Sequence, residues 1–246
     1  MKKIILYLVT ASMICCYYSC DKENTTGENA AKELCARLER AFRLSSTSNL
    51  EQFFIDWNTS VSSNTGGEND ITKTIYEIYR TFYNPLDLLI LGDWEWGNSL
   101  NSSSKYVAVQ NKIYYAVAEK ELFDTYWRIN RDSISDFRPQ LDLPKNKVLY
   151  LLPEYAKALN AFLGTERSDE NWKRYEFLRY QIPILCGHWG WYWHLATHPE
   201  ISLMLIDTDK TVAKILFRVG YQGGEATLEK NNNTWVITES RATWIE

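Results

Sequence analysis

All three histidines of the chain, His188, His194 and His198, fall within eleven residues of the stretch GHWGWYWHLATHP. Histidine is the commonest metal ligand and the side chain best suited to proton transfer near neutral pH, so chemistry is sought here first. Laid out as a strand, the three share one face. At about 3.3 Å per residue, however, His188 and His194 stand about 20 Å apart, too far for one ion held by bonds of about 2 Å. As a helix, His194 and His198 would be neighbours, but two glycines precede them and Pro199 follows directly. No Glu or Asp stands at metalloprotease spacing between them. The expectation is therefore no metal and no cofactor.

The same stretch makes more sense as an aromatic strand. Trp189, Trp191 and Trp193 alternate with His188, Gly190, Tyr192 and His194, giving one face of indoles and one polar-aromatic face. Indoles stack on flat ligands and sugar rings and offer a single orienting N–H. Core packing explains one tryptophan face, because aromatics suit pleated sheets. It explains His188, Tyr192 and His194 on the opposite face less well. These three, with Glu225, are the residues expected to line a ligand cavity; Trp189 and Trp191 replace them if the sheet faces are reversed.

The carboxylates say less. Asp93 and Glu95 would share a strand face, and close carboxylate pairs can do acid–base work. Glu225 follows Gly223-Gly224, where a bulge or bend of a strand is expected. Asp207-Thr208-Asp209 is a turn and not a calcium loop, since the later ligands and the required glycine are missing. Gly92-Asp93-Trp94-Glu95-Trp96 echoes Gly187-His188-Trp189-Gly190-Trp191, and in a chain with 10 Trp this is read as coincidence before duplication. No nucleophile elbow, phosphate loop, dinucleotide fingerprint or zinc-finger spacing occurs.

Such residues need a frame. Residues 31–44 carry Leu34, Leu38, Ala41 and Phe42 at helical spacing, and Ser48 with Glu51 forms a capping-box pair ahead of Phe53, Phe54 and Trp57. Asp70 is placed to cap a third helix with Ile71, Ile75, Ile78, Tyr79 and Phe82 on one stripe. Tyr106 to Gln110 and Ile113 to Ala118 flank Asn111-Lys112 as a hairpin would, and Val148 to Leu152 is a short strand. Pro153 opens a helix that Gly164 closes, and Ser168-Asp169 opens another. Ile201 to Ile206, the alternating Thr211 to Tyr221, Glu225 to Lys230, Thr234 to Thr238 and Ala242 to Ile245 then form an antiparallel meander.

The fold class is α+β, with N-terminal helices packed on a curved antiparallel β-sheet that ends in the C-terminal meander. Over residues 199–246, the alternating strand, Gly-Gly bend, hairpin and Trp strand resemble the NTF2-like (cystatin-like) cone folds. That resemblance implies a cavity at the open end of the sheet.

The 246 residues hold 45% hydrophobic side chains, with 16 Tyr and 9 Phe beside the tryptophans, which excludes a disordered chain. A formal charge of −4 argues against a nucleic-acid partner. At the amino terminus, MKKIILYLVTASMICCYYSC has a basic start, an apolar stretch too short to span a bilayer, and a Ser19-Cys20 pair before the polar run Asp21 to Asn24. This resembles a bacterial type II lipoprotein signal (lipobox), although Tyr17 stands where an aliphatic residue is usual and Cys15 and Cys16 are rival positions. The resemblance implies cleavage before Cys20 and its acylation. Residues 1–19 are then the signal peptide, 20–30 a short tether and 31–246 a single domain. Losing Lys2 and Lys3 from 27 basic side chains leaves 25 against 31 acidic ones, a formal −6. A multiply acylated cysteine holds a domain stably to a membrane, so the expected place is the cell envelope, anchored to the outer membrane. The acidic flank after Cys20 and the Gly-His-Trp-Gly segment resemble surface lipoproteins of Bacteroidota-type bacteria. Cys35 and Cys186 are expected as separate buried thiols, although an oxidising compartment permits a disulfide. The function expected is non-catalytic binding of a glycan or other small envelope or gut ligand. A hydrolase or isomerase with a His/carboxylate site is the alternative, and a structural interaction protein is the third.

Overall fold

The computed structural model describes residues 26–67, 69–92, 101, 103–143, 147–187 and 192–245. Helix α1 covers residues 26–43, beginning inside the segment expected to be a tether. It ends where Ser45 turns into the left-handed region at φ 48°. Helix α2, Thr47–Ser60, follows at once, capped by Ser46, whose hydroxyl accepts from the Asn49 amide at 3.2 Å. The cap is thus two residues earlier than the Ser48–Glu51 pair suggested. Likewise α3, Asp70–Phe82, is capped by Asn69, which accepts from the Ile71 amide, and not by Asp70. Short polar side chains satisfy the orphan amides of a first turn wherever they precede it, and adjacent candidates compete.

The helices serve two cores. α1 and α2 pack with α4 (Pro153–Leu163) and α5 (Asp169–Leu178) around Leu38, Phe54, Trp57, Leu159 and Phe162. Trp57 stacks on Tyr155 at 4.2 Å and donates its indole N–H to the Tyr150 carbonyl, so its one polar atom is satisfied in the core. α3 instead covers one face of a sheet with Ile75, Ile78, Tyr79 and Phe82, the last edge-on to Phe217 at 5.0 Å.

The strands are β1 (Tyr106–Gln110), β2 (Ile113–Val117), β3 (Asp132–Ile134), β4 (Lys147–Leu151), β5 (Leu185–Cys186), β6 (Trp193–His194), β7 (Glu200–Ile206), β8 (Val212–Val219), β9 (Gln222–Asn231) and β10 (Thr234–Ile245). The main sheet runs β10-β9-β8-β7-β2-β3. β7 to β10 form the expected antiparallel meander, and the α+β class stands. In β8, Ala213, Ile215, Phe217 and Val219 face α3 while Lys214 and Arg218 take the other face.

One expectation fails and another holds only in part. β1 and β2 do not form a hairpin: β1 pairs parallel with β4, and β2 pairs parallel with β7 and antiparallel with β3. Asn111 between them is buried, and its carbonyl accepts from the Phe137 amide, so the chain crosses between two sheets there. At Gly223 and Gly224 the expected irregularity appears as a slip of register against β10, between the pairs Gly224–Ala242 and Gly223–Trp244, and not as a bend. The turn falls at Gly220, with φ 59°, and both glycines lie within β9. Gly223 instead allows close approach, since a Cβ there would stand 1.9 Å from Cε2 of Trp244. Consequently Glu225 sits inside a paired strand, opposite Leu216 and Arg241, and not on a corner.

Cys35 and Cys186 are separate thiols, each with its pKa raised by burial. No helix among the described residues is long and apolar enough to cross a membrane.

Candidate functional site

The segment from Trp193 to Ser202 is fastened at nearly every residue. β6 pairs antiparallel with β5, placing His194 opposite Leu185. Trp193 stacks on Tyr175 at 5.6 Å and donates its indole N–H to the Gly164 carbonyl at 2.8 Å, which spends that tryptophan on the core. Thr197 copies a strand pairing with Ala108: its amide donates to the Ala108 carbonyl and its hydroxyl accepts from the Ala108 amide. Asn101 donates to the carbonyls of Pro85 and His198, both at 2.8 Å. The Gln110 side chain accepts from the Ile201 amide at 2.7 Å and donates to the Ile201 carbonyl at 2.9 Å. Buried polar groups are tolerable only when satisfied, and here that requirement fixes the backbone that carries the titratable residues.

His198 is fully buried, and its Nδ1 lies 3.1 Å from the Arg218 carbonyl. A carbonyl only accepts, so Nδ1 carries the proton and Nε2 keeps a bare lone pair. Burial pushes its pKa down to about 3, with the bond to Arg218 opposing and the charges of His194 and Arg218 assisting. The ring is neutral at neutral pH. His194 is also buried, its ring 6.0 Å from that of His198 and 5.0 Å from that of Tyr192.

Glu200 opens β7 and pairs in register with Arg218 of β8. Burial raises its carboxyl pKa. The charge of Arg218 pulls the other way and does not win. Glu200 lies in the wall of two concavities. One, of about 730 Å³, is lined among others by Gln110, Asn111, Tyr114, His194 and Ser202. The second, of about 470 Å³, lies toward the C-terminal strand and includes Tyr126, Arg131, Arg218, Glu225, Ser202 and Trp244. Ser202, like Glu200, belongs to both.

The residues singled out in the sequence separate accordingly. His194 lines the larger concavity and Glu225 the smaller. Tyr192 is half-exposed and covers Gly187, where a Cβ would come within 2.3 Å of its ring. His188, Trp189 and Trp191 lie outside the described residues, as do Asp93, Glu95, both Gly-x-Trp-x-Trp copies after their first glycines, and Cys20. Glu225 is held by Lys214 at 3.0 Å and by Arg241; burial raises its pKa, but the two cations outweigh this and the net shift is downward. It is therefore an ionised structural carboxylate, unsuited to give up a proton. Among the described residues no three His, Cys, Asp or Glu side chains converge on a metal position.

Glu200 was missed in the sequence. Its only signal there is the register of β7 on β8, which sets it against Arg218 eighteen residues away. Gln110 carried no signal, because its role depends on the β1–β7 contact that local patterning misassigned. No protein family, curated protein or solved structure matches this chain.

Proposed function

We propose that this chain is a lipid-anchored protein of the cell envelope, attached to the outer membrane through Cys20, that binds a glycan in the larger concavity without turning it over. The observation that carries the reading is the lining: Asn111, Ser135 and Ser202 offer an amide and hydroxyls, and Tyr114, 43% exposed with the Lys112 ammonium 4.5 Å from its ring centroid, offers a ring face, in a hollow of about 730 Å³. That volume lies within the range of small-ligand sites, and neutral hydroxyl and amide groups beside an aromatic surface suit a polyhydroxylated ligand. Kinship with NTF2-like cones belongs to the same proposal and is supported by helices laid over a long meander.

A thermal-shift screen of the chain from residue 21 against glycans, with Tyr114→Ala as the site variant, tests it. A ligand at a hundred times its dissociation constant adds about 2.7 kcal/mol of stability, readily seen in a melt. The expected result is a glycan-dependent shift that Tyr114→Ala removes; no shift with any glycan overturns the reading. For the anchor, acyl labelling of the intact protein is expected, and its persistence in Cys20→Ala overturns that part.

One observation favours catalysis as a second reading: Glu200, its pKa raised, shares the concavity with His194. A carboxyl shifted toward neutrality can act as a general acid. Hydrolysis of a bound glycan, abolished by Glu200→Gln with binding retained, would replace the binding module with an enzyme.

A further inference from the structure

We infer that the two concavities are subsites of one groove, and that the ligand is an extended oligosaccharide passing over Glu200 and Ser202 from the larger hollow to the smaller. This rests on the glycan reading above and adds to it the length of the ligand and a second binding surface. Glu200 and Ser202 line both spaces, so the two hollows adjoin across the start of β7. At about 730 and 470 Å³, each hollow is already of small-ligand size, and a single sugar would leave the second empty.

That junction is built for exposure. β7 and β8 slip register between Ile201 and Leu203, leaving Ser202 as the extra, exposed residue between them. Bulges of this kind re-aim side chains beside sites. Ser202 is steadied by donating to the Leu216 carbonyl at 2.9 Å, and Ile201 by Gln110 on its other side.

The far hollow has its own aromatic surface. Trp244 is half-exposed, lies close against Gly223, and has the Arg218 guanidinium 5.2 Å from its ring centroid. A glycine against the indole and a cation over its ring hold it in one place while half of it stays exposed, which leaves surface for stacking. Tyr126 stands in the same hollow. Glu225, committed to Lys214 and Arg241, contributes wall and not an open charge.

Titration calorimetry with cello-, xylo-, manno- and chito-oligosaccharide ladders of one to six units tests the inference. The expected result is a dissociation constant that falls roughly tenfold or more from the monosaccharide to the chain spanning both hollows, then levels off. Trp244→Ala should bring the longest chain back to the affinity of the monosaccharide. Gly223→Ala, which displaces the indole without deleting it, should do the same and guards against a folding artefact. Affinity independent of length, or a longest chain indifferent to both variants, overturns the extended groove while leaving single-site binding intact. Failure of every ladder to bind overturns the glycan reading and the groove with it.

Discussion

Glu200 on β7 and Glu225 on β9 lie on strands separated only by β8, both in the wall of the smaller concavity, yet their acidities move in opposite directions. Burial pushes both upward. At Glu225 the Lys214 ammonium and the Arg241 guanidinium are in hydrogen-bonding contact, and pairing wins. At Glu200 the Arg218 guanidinium acts through its charge across the strand pair, and burial wins. Two things differ between them: Glu200 is the more deeply buried, and donors reach the oxygens of Glu225, so depth and contact act in the same direction. The polar groups on and beside the sheet therefore divide into a paired set that stays ionised and a desolvated set, with Glu200 and the buried His198 just before β7, that resists charge.

The largest test of the desolvated set is acid. His198 has its folded pKa at about 3 against an ordinary 6.5, so its stabilisation is fully present above pH 6.5 and is lost as pH falls toward 3. Fully expressed, that span corresponds to on the order of 5 kcal/mol. Denaturant melts from pH 7 to pH 3 should show the loss, and His198→Gln, with an amide able to donate to Arg218 but no proton to gain, should flatten it. An unchanged acid slope in the variant would remove His198 from the desolvated set.

Asn101→Ala comes next. It strips the donor from two buried carbonyls, those of Pro85 and His198, and should cost about 2–3 kcal/mol in a urea melt. A cost near zero would mean that water replaces the amide, and that the His194–Glu200 segment is less dry than its neighbours suggest.

The two carboxylates should then answer oppositely to the same change. Glu200 has a raised pKa, so its favourable contribution is fully present below its unfolded value, near 4.5, and is lost as pH rises through the folded value. Glu200→Gln should make the protein more stable than wild type at pH 7, with the gain vanishing below pH 4. Glu225 has a lowered pKa, so its contribution is present above 4.5 and lost as pH falls through the folded value. Glu225→Gln should cost about 1 kcal/mol at pH 7 and nothing in acid. Shifts of the same sign at pH 7 would erase the distinction between the sets.

Half of this was legible in the amino-acid order. The alternation of Ala213, Ile215, Phe217 and Val219 against Lys214 and Arg218 defines β8 and its faces, because a strand's period is a local property. The helices were legible for the same reason, their caps being misplaced only by competing neighbours such as Ser46 and Ser48. What failed was non-local. Asn111-Lys112 has the composition of a hairpin turn, but the partners of β1 and β2 are β4 and β7, which no pattern within ten residues specifies. Glu200 stayed hidden because its acidity depends on burial by distant strands. Glu225 was visible as a candidate, and its two cations were not, since Lys214 and Arg241 reach it only through β8–β9–β10 pairing.

The smallest effect is expected where the charges are most numerous. Lys214 is bonded to Asp124 at 2.9 Å and to Glu225 at 3.0 Å; burial lowers its pKa, but the two carboxylates more than offset this and the net shift is upward. Its contribution is therefore present below the ordinary lysine value of 10.5 and is lost only as pH rises through the folded value, which leaves it constant across neutral pH. Replacing it with methionine keeps the stem that crosses the sheet and removes the charge. Asp124 is 87% exposed and returns to water at little cost, while Glu225 retains Arg241. The loss should be about 0.5–1 kcal/mol and should shrink further in high salt, where pairs open to solvent are screened. A loss of about 3 kcal/mol or more, insensitive to salt, would show Glu225 buried as deeply as Glu200, and contact with a cation, not depth, would then be the whole of the difference between them.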